Sequence, residues 1–597
     1  MPTLSRKAKG RQAGRSRVTT PRGLQTRGAG TAPLRPAVVS RPVEQVPADA
    51  PSAPAAPQKG RRRPSAPAKA AATRPTRPPR PKAPGLLAIR TAAMGLRAET
   101  RPAAQISCPD LDRRVRPNPE ANPLAGAPVG ATHPLTNAHA NARLTAYEQG
   151  VKGSFDRIVT VLKQVASHRC SPDFTERATR IAREELGVEV PGHLLDDAWI
   201  TGLDMRRLFA WVVFETYRRV SDEFFTCDPL GGRDDPTFMQ FLLECGFHLM
   251  DVTPCADGRL AHAISYVLRL PYGNVRRKSY AGTLFDIENT VEKWIETELR
   301  RFREGVPNAA DGPTRYLKTV LYHFSSGDPG HQGCAAHGSD DEAAARAGWE
   351  RLVGFRQAVE NGFCCGASVD LLLIGMDTDT DAIRVHVPDA SGRCDLDRWL
   401  DARQVYDETA RMTQHHAREH LANLVRASVP QGGAGMPSDG MVTLITRLIE
   451  NNISQIDLVR QVHGGRYQDI GHAERFIGAG IGFEEIQLRN LTYFAYLNTV
   501  EEGAADLDVG IKIFTGLNVN HGLPVPVVVR HDYHGGVPGA RDRAVNHCNR
   551  IADALAARYP QLYAKGLLHV LRVVRDCDAA NPIEIVGSTL EQAQSGH

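Results

Sequence analysis

The sequence predicts an α/β protein in which a mixed sheet flanked by helices occurs twice, behind an N-terminal all-α domain and a disordered basic arm. Three observations predict it. The first hundred residues are basic and proline-rich. The next hundred repeat apolar residues at three- and four-residue spacing, the helical period. From about Thr237 onward, short β-branched runs alternate with long helical stretches, the pattern of a sheet covered by helices.

The arm spans residues 1–130. Residues 1–97 hold 21 Lys or Arg against only Glu44 and Asp49, which leaves 52 basic and 65 acidic residues to the rest of the 597. A polycationic arm is thus joined to an acidic body, although the formal net charge is only +6. The same stretch carries 16 of the 40 prolines, and the first aromatic residue is Tyr147. Without aromatics it cannot bury enough apolar surface to offset its ordering entropy. Runs such as Lys59–Arg63 and Arg74–Arg80 suit an extended tether. No apolar core follows the positive start as in a secretory signal, and no stretch reaches the roughly 20 apolar residues that span a bilayer. The expected setting is soluble and cytoplasmic, without a membrane. Eleven cysteines lack the density of a disulfide scaffold and point to thiols or metal ligands.

Three domains follow the arm. Residues 131–232 read as helical, with periodic stretches at Leu144–Val165 and Arg207–Phe225 punctuated by Pro172 and Pro191. Residues 233–475 read as an α/β domain. Its strands are expected at His248–Thr253, Thr319–His323 and Val369–Met376, and its helices at Thr283–Gly305, Asp340–Glu360, Val405–Ala427 and Met441–Val462. Residues 476–597 echo it: Val527–Arg530, a polar loop, a helix at Arg541–Arg558 and a strand at Leu567–Val574 repeat the order Thr319–Tyr322, loop, helix, strand. A diverged duplication is expected. The strand Ile511–Phe514, followed by Thr-Gly-Leu-Asn-Val, has no Cys, Asp or Arg in register, and His531 and His534 have no thiolates, so this copy is expected to be metal-free.

The chemistry concentrates in two segments. In Met250–Leu260 a strand ends and Cys255, Asp257 and Arg259 follow at two-residue spacing, which in extended backbone puts them on one side. The carboxyl end of a strand is where open α/β sheets bind ligands. In Tyr322–His337, His323, His331, Cys334 and His337 follow an apolar strand. Two thiolates and an imidazole favour Zn²⁺, and three protein donors leave the fourth position for water, the catalytic arrangement. Alone, a Cys at a strand end is a buried thiol and an Asp-x-Arg a surface pair. Their combination in one order is what singles them out.

Cys255-Ala-Asp-Gly-Arg259 resembles the Cys-x-Asp-x-Arg signature of β-class carbonic anhydrases. The longer strings from Cys255 to His262 and from His323 to Asp340 resemble the carboxysomal shell carbonic anhydrases, a divergent β-related family, over about residues 130–597. The resemblance implies a β-carbonic-anhydrase-like fold with a silent C-terminal copy, and Cys255, His323 and Cys334 as ligands of one Zn²⁺ per chain. His331-Gln-Gly-Cys334 also fits the His-x-x-Cys spacing of ordinary β-class enzymes, so His331 stays open as an alternative to His323. Asp257 and Arg259 are implied as catalytic, the guanidinium holding the carboxylate off the metal and orienting it. The implied reaction is interconversion of CO₂ and bicarbonate inside the carboxysome, supplying Rubisco. The implied partners are Rubisco through the arm, shell proteins, and further copies of the chain as a homodimer or larger assembly.

The alternative is a noncatalytic scaffold in which zinc staples the fold and the arm binds an acidic partner or nucleic acid. The arm's lack of aromatics for base stacking weighs against nucleic acid. Cys394-Asp-Leu-Asp-Arg398 has the motif in the wrong order and is set aside. Cys364–Cys365 reads as core or redox-sensitive, and Gly471–Phe476 as a polar stretch whose His472 is not counted in the site.

Overall fold

A computed structural model describes residues 132–591 apart from 197–201, 228–234, 272–273, 304–313, 363–366, 469–470, 498–499 and 580. The expectations for the arm and for Cys364–Cys365 lie outside the described residues.

The chain begins with a helical layer. Helix α1 (Ala138–Asp156) starts at Asn137, whose side chain accepts the Ala140 N–H, a cap that satisfies a donor with no partner inside the helix. It is followed by α2 (Ile158–Ser167), α3 (Phe174–Leu186) and α4 (Met205–Cys227). The expected single helix Leu144–Val165 is therefore broken at Arg157. In α4, Phe209, Val213, Tyr217, Val220 and Phe224 recur at three- and four-residue spacing and are buried, as one face of an amphipathic helix requires.

After α5 (Pro236–Glu244) comes the first sheet: β1 (Leu249–Pro254), β2 (Arg276–Arg277), β3 (Thr314–Phe324), β4 (Ala367–Asp377), β5 (Ile383–His386) and β6 (Leu400–Asp401), in the order β2-β1-β3-β4-β5-β6. β2, β1, β3 and β4 pair parallel, and the pairs β4–β5 and β5–β6 are antiparallel. Every residue of β1 is buried, as expected of a strand covered on both faces, and its two polar residues, Asp251 and Thr253, both accept Lys318 Nζ. The crossovers are α6 (Ile287–Arg303) and α7 (Asp341–Gly362), the second packed on β3 and β4. The expected helix Val405–Ala427 is two, α8 (Ala402–Thr409) and α9 (Gln414–Ala427), because Thr413 restarts the chain as an N-cap for His416 N–H. A long helix, α10 (Asp439–His463), capped by Ser438 and ended by Gly464 at φ 68°, closes this half.

The second sheet comprises β7 (Phe476–Ile481), β8 (Thr492–Ala495), β9 (Val525–Tyr533), β10 (Leu568–Asp576) and β11 (Glu584–Ser588). Its order is β11-β10-β9-β7-β8, with only β10–β11 antiparallel. Helices α11 (Val500–Leu517), α12 (Ala540–Arg558) and α13 (Pro560–Ala564) connect its strands. The expected strand Ile511–Phe514 is wrong: these residues lie in α11, where Leu507, Ile511 and Phe514 are buried at helical spacing. The first strand of this copy is β7.

Candidate metal centre

β1 ends at Pro254, and Cys255 follows it at the carboxyl end of the parallel sheet, bridged to Tyr280 beside β2. β3 runs three residues past Leu321, the partner of Pro254, and carries His323 near its end, paired with Met376 of β4. Cys334 comes from the loop after β3. Cys255, His323 and Cys334 are buried, and each offers a donor atom within 4.8 Å of the others. The two sulfurs are 4.0 Å apart. Gly282 N–H donates to Cys255 Sγ at 3.3 Å.

These residues fit a metal ion. His323 is buried, yet neither ring nitrogen has a hydrogen-bond partner, and a buried imidazole left so is costly unless something else takes its lone pair. The contact with Cys334, then burial, pushes the Cys255 thiol well up, while the same contact lowers Cys334. Against burial, the charges of Cys255 and Asp257 raise His323 to about 9. Two soft sulfurs and one imidazole form an open three-donor set.

Asp257 stands beside this group, its Oδ2 3.4 Å from His323 Nε2. Arg259 does not continue an extended strand, as the spacing suggested. It sits in a 3₁₀ turn (Gly258–Leu260) that folds its side chain back. Its Nε and Nη2 donate to Asp257 Oδ1 and Oδ2 at 3.0 and 2.7 Å, and its backbone N–H reaches Oδ1 at 2.9 Å. Nη1 donates to Gln332 O at 2.7 Å, tying the pair to the Cys334 loop. Against burial, Arg259, then His323 and His472, hold Asp257 well below the usual carboxylate range.

A cavity of about 20 Å³ opens on Cys255, Asp257, His323 and Cys334, room for about one water-sized molecule. Its remaining wall comes from His472 and from elements of the second sheet. His472 lines it, with Glu474 Oε1 on its Nδ1 at 2.9 Å. Tyr493 of β8 and Val509 and Ile513 of α11 bring the second sheet's elements onto the same cavity, facing Ala281, Ala335 and Ala336. The one available signal was the isolated His472-Ala-Glu474 polar pair. The apolar residues gave none. His331 lies elsewhere: its side chain is 81% exposed and pairs with Asp328 at 2.8 Å. His337 Nε2 contacts Gly282 O at 3.0 Å.

An open set of soft donors at the end of a parallel sheet, with an arginine-held carboxylate and space for one small molecule, suggests a metal site of the β-carbonic-anhydrase type. Three sequence models of the carboxysome shell carbonic anhydrase match the chain in succession: the N-terminal part over residues 133–225, the catalytic domain over 237–472 and the C-terminal part over 473–590. It is 56% identical over 506 residues to the carboxysome shell carbonic anhydrase of Prochlorococcus marinus (strain MIT 9313), covering 84% of this chain and 98% of that one. It is 60% identical over 462 residues to that of Parasynechococcus marenigrum (strain WH8102), covering 77% and 79%, and 46% identical over 463 residues to that of Halothiobacillus neapolitanus, covering 76% and 90%. The chain belongs to the carboxysome shell carbonic anhydrase family. It is accordingly a carbonic anhydrase, and its place is the carboxysome.

Proposed function

We propose that Cys255, His323 and Cys334 hold one Zn²⁺ and that Asp257 and Arg259 are the catalytic pair for CO₂ + H₂O ⇌ HCO₃⁻ + H⁺. The observation that carries the reading is the buried His323 imidazole with both nitrogens unbonded beside two sulfurs. Zinc, when bound, supplies Lewis acidity that brings the pKa of water toward about 7.

The chain's own residues do the rest. Arg259 grips both oxygens of Asp257, which keeps a carboxylate close to the donor set from becoming a fourth donor. Asp257 then accepts a hydrogen bond from the attacking water and orients it so that its proton leaves toward His472. His472, whose side chain is 27% exposed and backed by Glu474, passes that proton from the cavity toward solvent. Val509, Ile513 and the alanines give CO₂, which has no charge, an apolar wall. The C-terminal copy therefore serves the site without holding a metal. In the carboxysome the reaction runs from bicarbonate toward CO₂ for Rubisco, which the basic arm engages, and the chain assembles as a dimer or larger multimer that contacts shell proteins. The domains are the arm 1–130, helical 131–232, catalytic 233–475 and C-terminal copy 476–597.

Stopped-flow CO₂ hydration with zinc measured on the same sample tests this. Wild type is expected to turn over with one zinc per chain. Asp257→Asn is expected to lose about 10²- to 10⁴-fold in kcat with zinc retained. Zinc-loaded protein inactive under both reducing and oxidising conditions would overturn the reading, and zinc loss in Asp257→Asn would overturn the role of the pair. Deleting residues 1–130 should leave kcat intact and weaken Rubisco binding in a pull-down at moderate salt.

A further inference from the structure

Residues 471–474 lie between α10 and β7 and are built against the turn that carries Asp257 and Arg259. The Glu474 side chain is wholly buried. It lies flat on Gly258, the residue between Asp257 and Arg259: a Cβ there would stand 2.5 Å from Glu474 Cγ and 2.8 Å from Cδ, closer than side chains pack. Only glycine leaves Glu474 its place. Asn490, two residues before β8, ties the same two segments together. Its backbone N–H donates to Gly258 O at 2.9 Å and its Nδ2 to Gly471 O at 2.9 Å. Asn490 is buried at φ 57°, a left-handed conformation that asparagine tolerates better than most residues. The turn bearing Asp257 and the stretch bearing His472 are thus fixed to each other.

Asp257, His472 and Glu474 present atoms within 4.8 Å of one another. Two carboxylates and an imidazole at such distances suit a cation, but Arg259 already supplies one: it grips Asp257 and feels the charge of Glu474. What remains is a chain of groups from Asp257 through His472 to Glu474. Glu474 Oε1 occupies His472 Nδ1 at 2.9 Å. A carboxylate only accepts, so Nδ1 carries the hydrogen and Nε2 keeps its lone pair. Burial works against a charge on His472, but Asp257 and then Glu474 raise its pKa above the ordinary 6.5, with Arg259 opposing them. A carboxylate so placed orients the imidazole and stabilises the imidazolium formed when the ring takes a proton.

We propose that Glu474 is a positioning residue for the carbonic anhydrase reaction, setting the tautomer of His472 so that Nε2 receives the proton leaving the cavity, with Gly258 kept bare to seat it. This rests on the reading of His472 as the proton's way out. His472 takes the proton at Nε2 and becomes an imidazolium whose Nδ1–H stays on Glu474. A buffer base then removes the proton from Nε2 and returns the neutral ring. Glu474 does not line the metal cavity and acts through the imidazole alone.

The test uses full-length, zinc-loaded protein in stopped-flow CO₂ hydration, at fixed pH and ionic strength, with the buffer concentration varied. Glu474→Gln keeps the shape and removes the charge. At low buffer its kcat should fall by about tenfold or more. KM should fall with it, so that kcat/KM stays within about twofold of wild type. The loss should shrink as imidazole buffer is raised, with one zinc per chain retained. The fall in KM does not depend on how much of the sample is folded, so a less stable variant still answers. Glu474→Asp, which keeps the charge on a shorter stem, should recover part of kcat. Gly258→Ala should show the same loss at low buffer. Gly258→Ala/Glu474→Ala should lose no more than Glu474→Ala alone, since the methyl group then fills space the acid has left. His472→Ala separates the two claims. If it loses kcat at low buffer and regains it with imidazole while Glu474→Gln matches wild type, the relay stands and the role of Glu474 falls. If His472→Ala keeps wild-type kcat at low buffer, the relay falls and this proposal with it. Loss of zinc in Glu474→Gln, or of kcat/KM in proportion to kcat, would make the residue structural and overturn the proposal.

Discussion

The two sheets repeat one topology and end differently. Read from the β2 edge, the first runs β2-β1-β3-β4-β5; read from the β8 edge, the second runs β8-β7-β9-β10-β11, with the same three parallel pairings and then one antiparallel. At the carboxyl end of the first stand two sulfurs and an imidazole. At that end of the second stands an ion cluster of the chain's own making. Arg530, fully buried, donates to Glu485 Oε1 at 2.6 Å and to both oxygens of Asp532. Helix α4 seals it: Tyr217 and Ser221 join the hydrogen bonds and Phe225 lies over Arg530 and Arg575. A strand end leaves room for charge in both copies. One leaves its donors open toward a cavity, and the other pairs its charges with one another and closes the space with a helix.

The sharpest way to break this contrast is to exchange what each end depends on. Cys255→Ser or His323→Ala removes a donor from an open set, and hydration should fall by several orders of magnitude, enzymes commonly accelerating by at least about 10⁶-fold. Zinc content should fall with it, while circular dichroism stays native. Full activity in either variant would dissolve the distinction between the two ends.

Arg530→Met attacks the other end. It leaves Glu485 buried without its cation and Asp532 with only Arg575, 3.8 Å away, a change that costs about 3–5 kcal/mol. The urea midpoint should drop at unchanged m-value. Folded protein should still hydrate CO₂, because no atom of this cluster lines the metal cavity. A loss of zinc in this variant would mean the two ends are coupled.

Acid should act on both sheets alike. Burial pushes His386 of β5 and His569 of β10 each down to about 4 from the ordinary 6.5. Both stay neutral in the fold, while the unfolded chain takes up a proton as the pH falls below about 6.5. Their effect on stability is therefore nil above pH 6.5. It grows as a loss between pH 6.5 and 4, up to about 3 kcal/mol for each group. Urea midpoints from pH 7.5 to 5 should decline, and His386→Gln or His569→Gln should flatten the decline. A slope unchanged in both would show that these imidazoles are solvated.

Much of the centre was legible because its residues are close in sequence. Cys255, Asp257 and Arg259 occupy five positions, and His323 and Cys334 share one loop-bearing segment, so residue type and order pick out the group, though they leave His331 open against His323. What stayed hidden depends on distance. Val509 and Ile513 are ordinary apolar residues of α11, and only the docking of one sheet's helix beside the other's loops brings them to the cavity. The same helix shows how propensity misleads: Ile511-Lys512-Ile513-Phe514 reads as a strand by its β-branched residues, but Leu507, Ile511 and Phe514 bury one helical face. Arg530 and Glu485 were passed over because charges far apart in sequence reveal a buried pair only once folded.

The smallest expected effect concerns the residue that sequence spacing left open. His331 obeys the His-x-x-Cys rule with Cys334, yet its ring points into solvent and pairs with Asp328, much as exposed His534 pairs with Asp578 at 2.8 Å in the other copy. Exposed pairs of this kind are worth about 0–1 kcal/mol. His331→Ala should therefore bind one zinc per chain and match wild-type kcat/KM, with a thermal midpoint shifted by no more than a few degrees. Set against His323→Ala, it separates spacing from position. His323 is placed by the paired register of β3 and β4, whereas His331 lies in a loop that this pairing does not reach. If His331→Ala loses its zinc while His323→Ala keeps it, the donor set belongs to the loop rather than to the sheet, and the contrast between the two strand ends loses its basis.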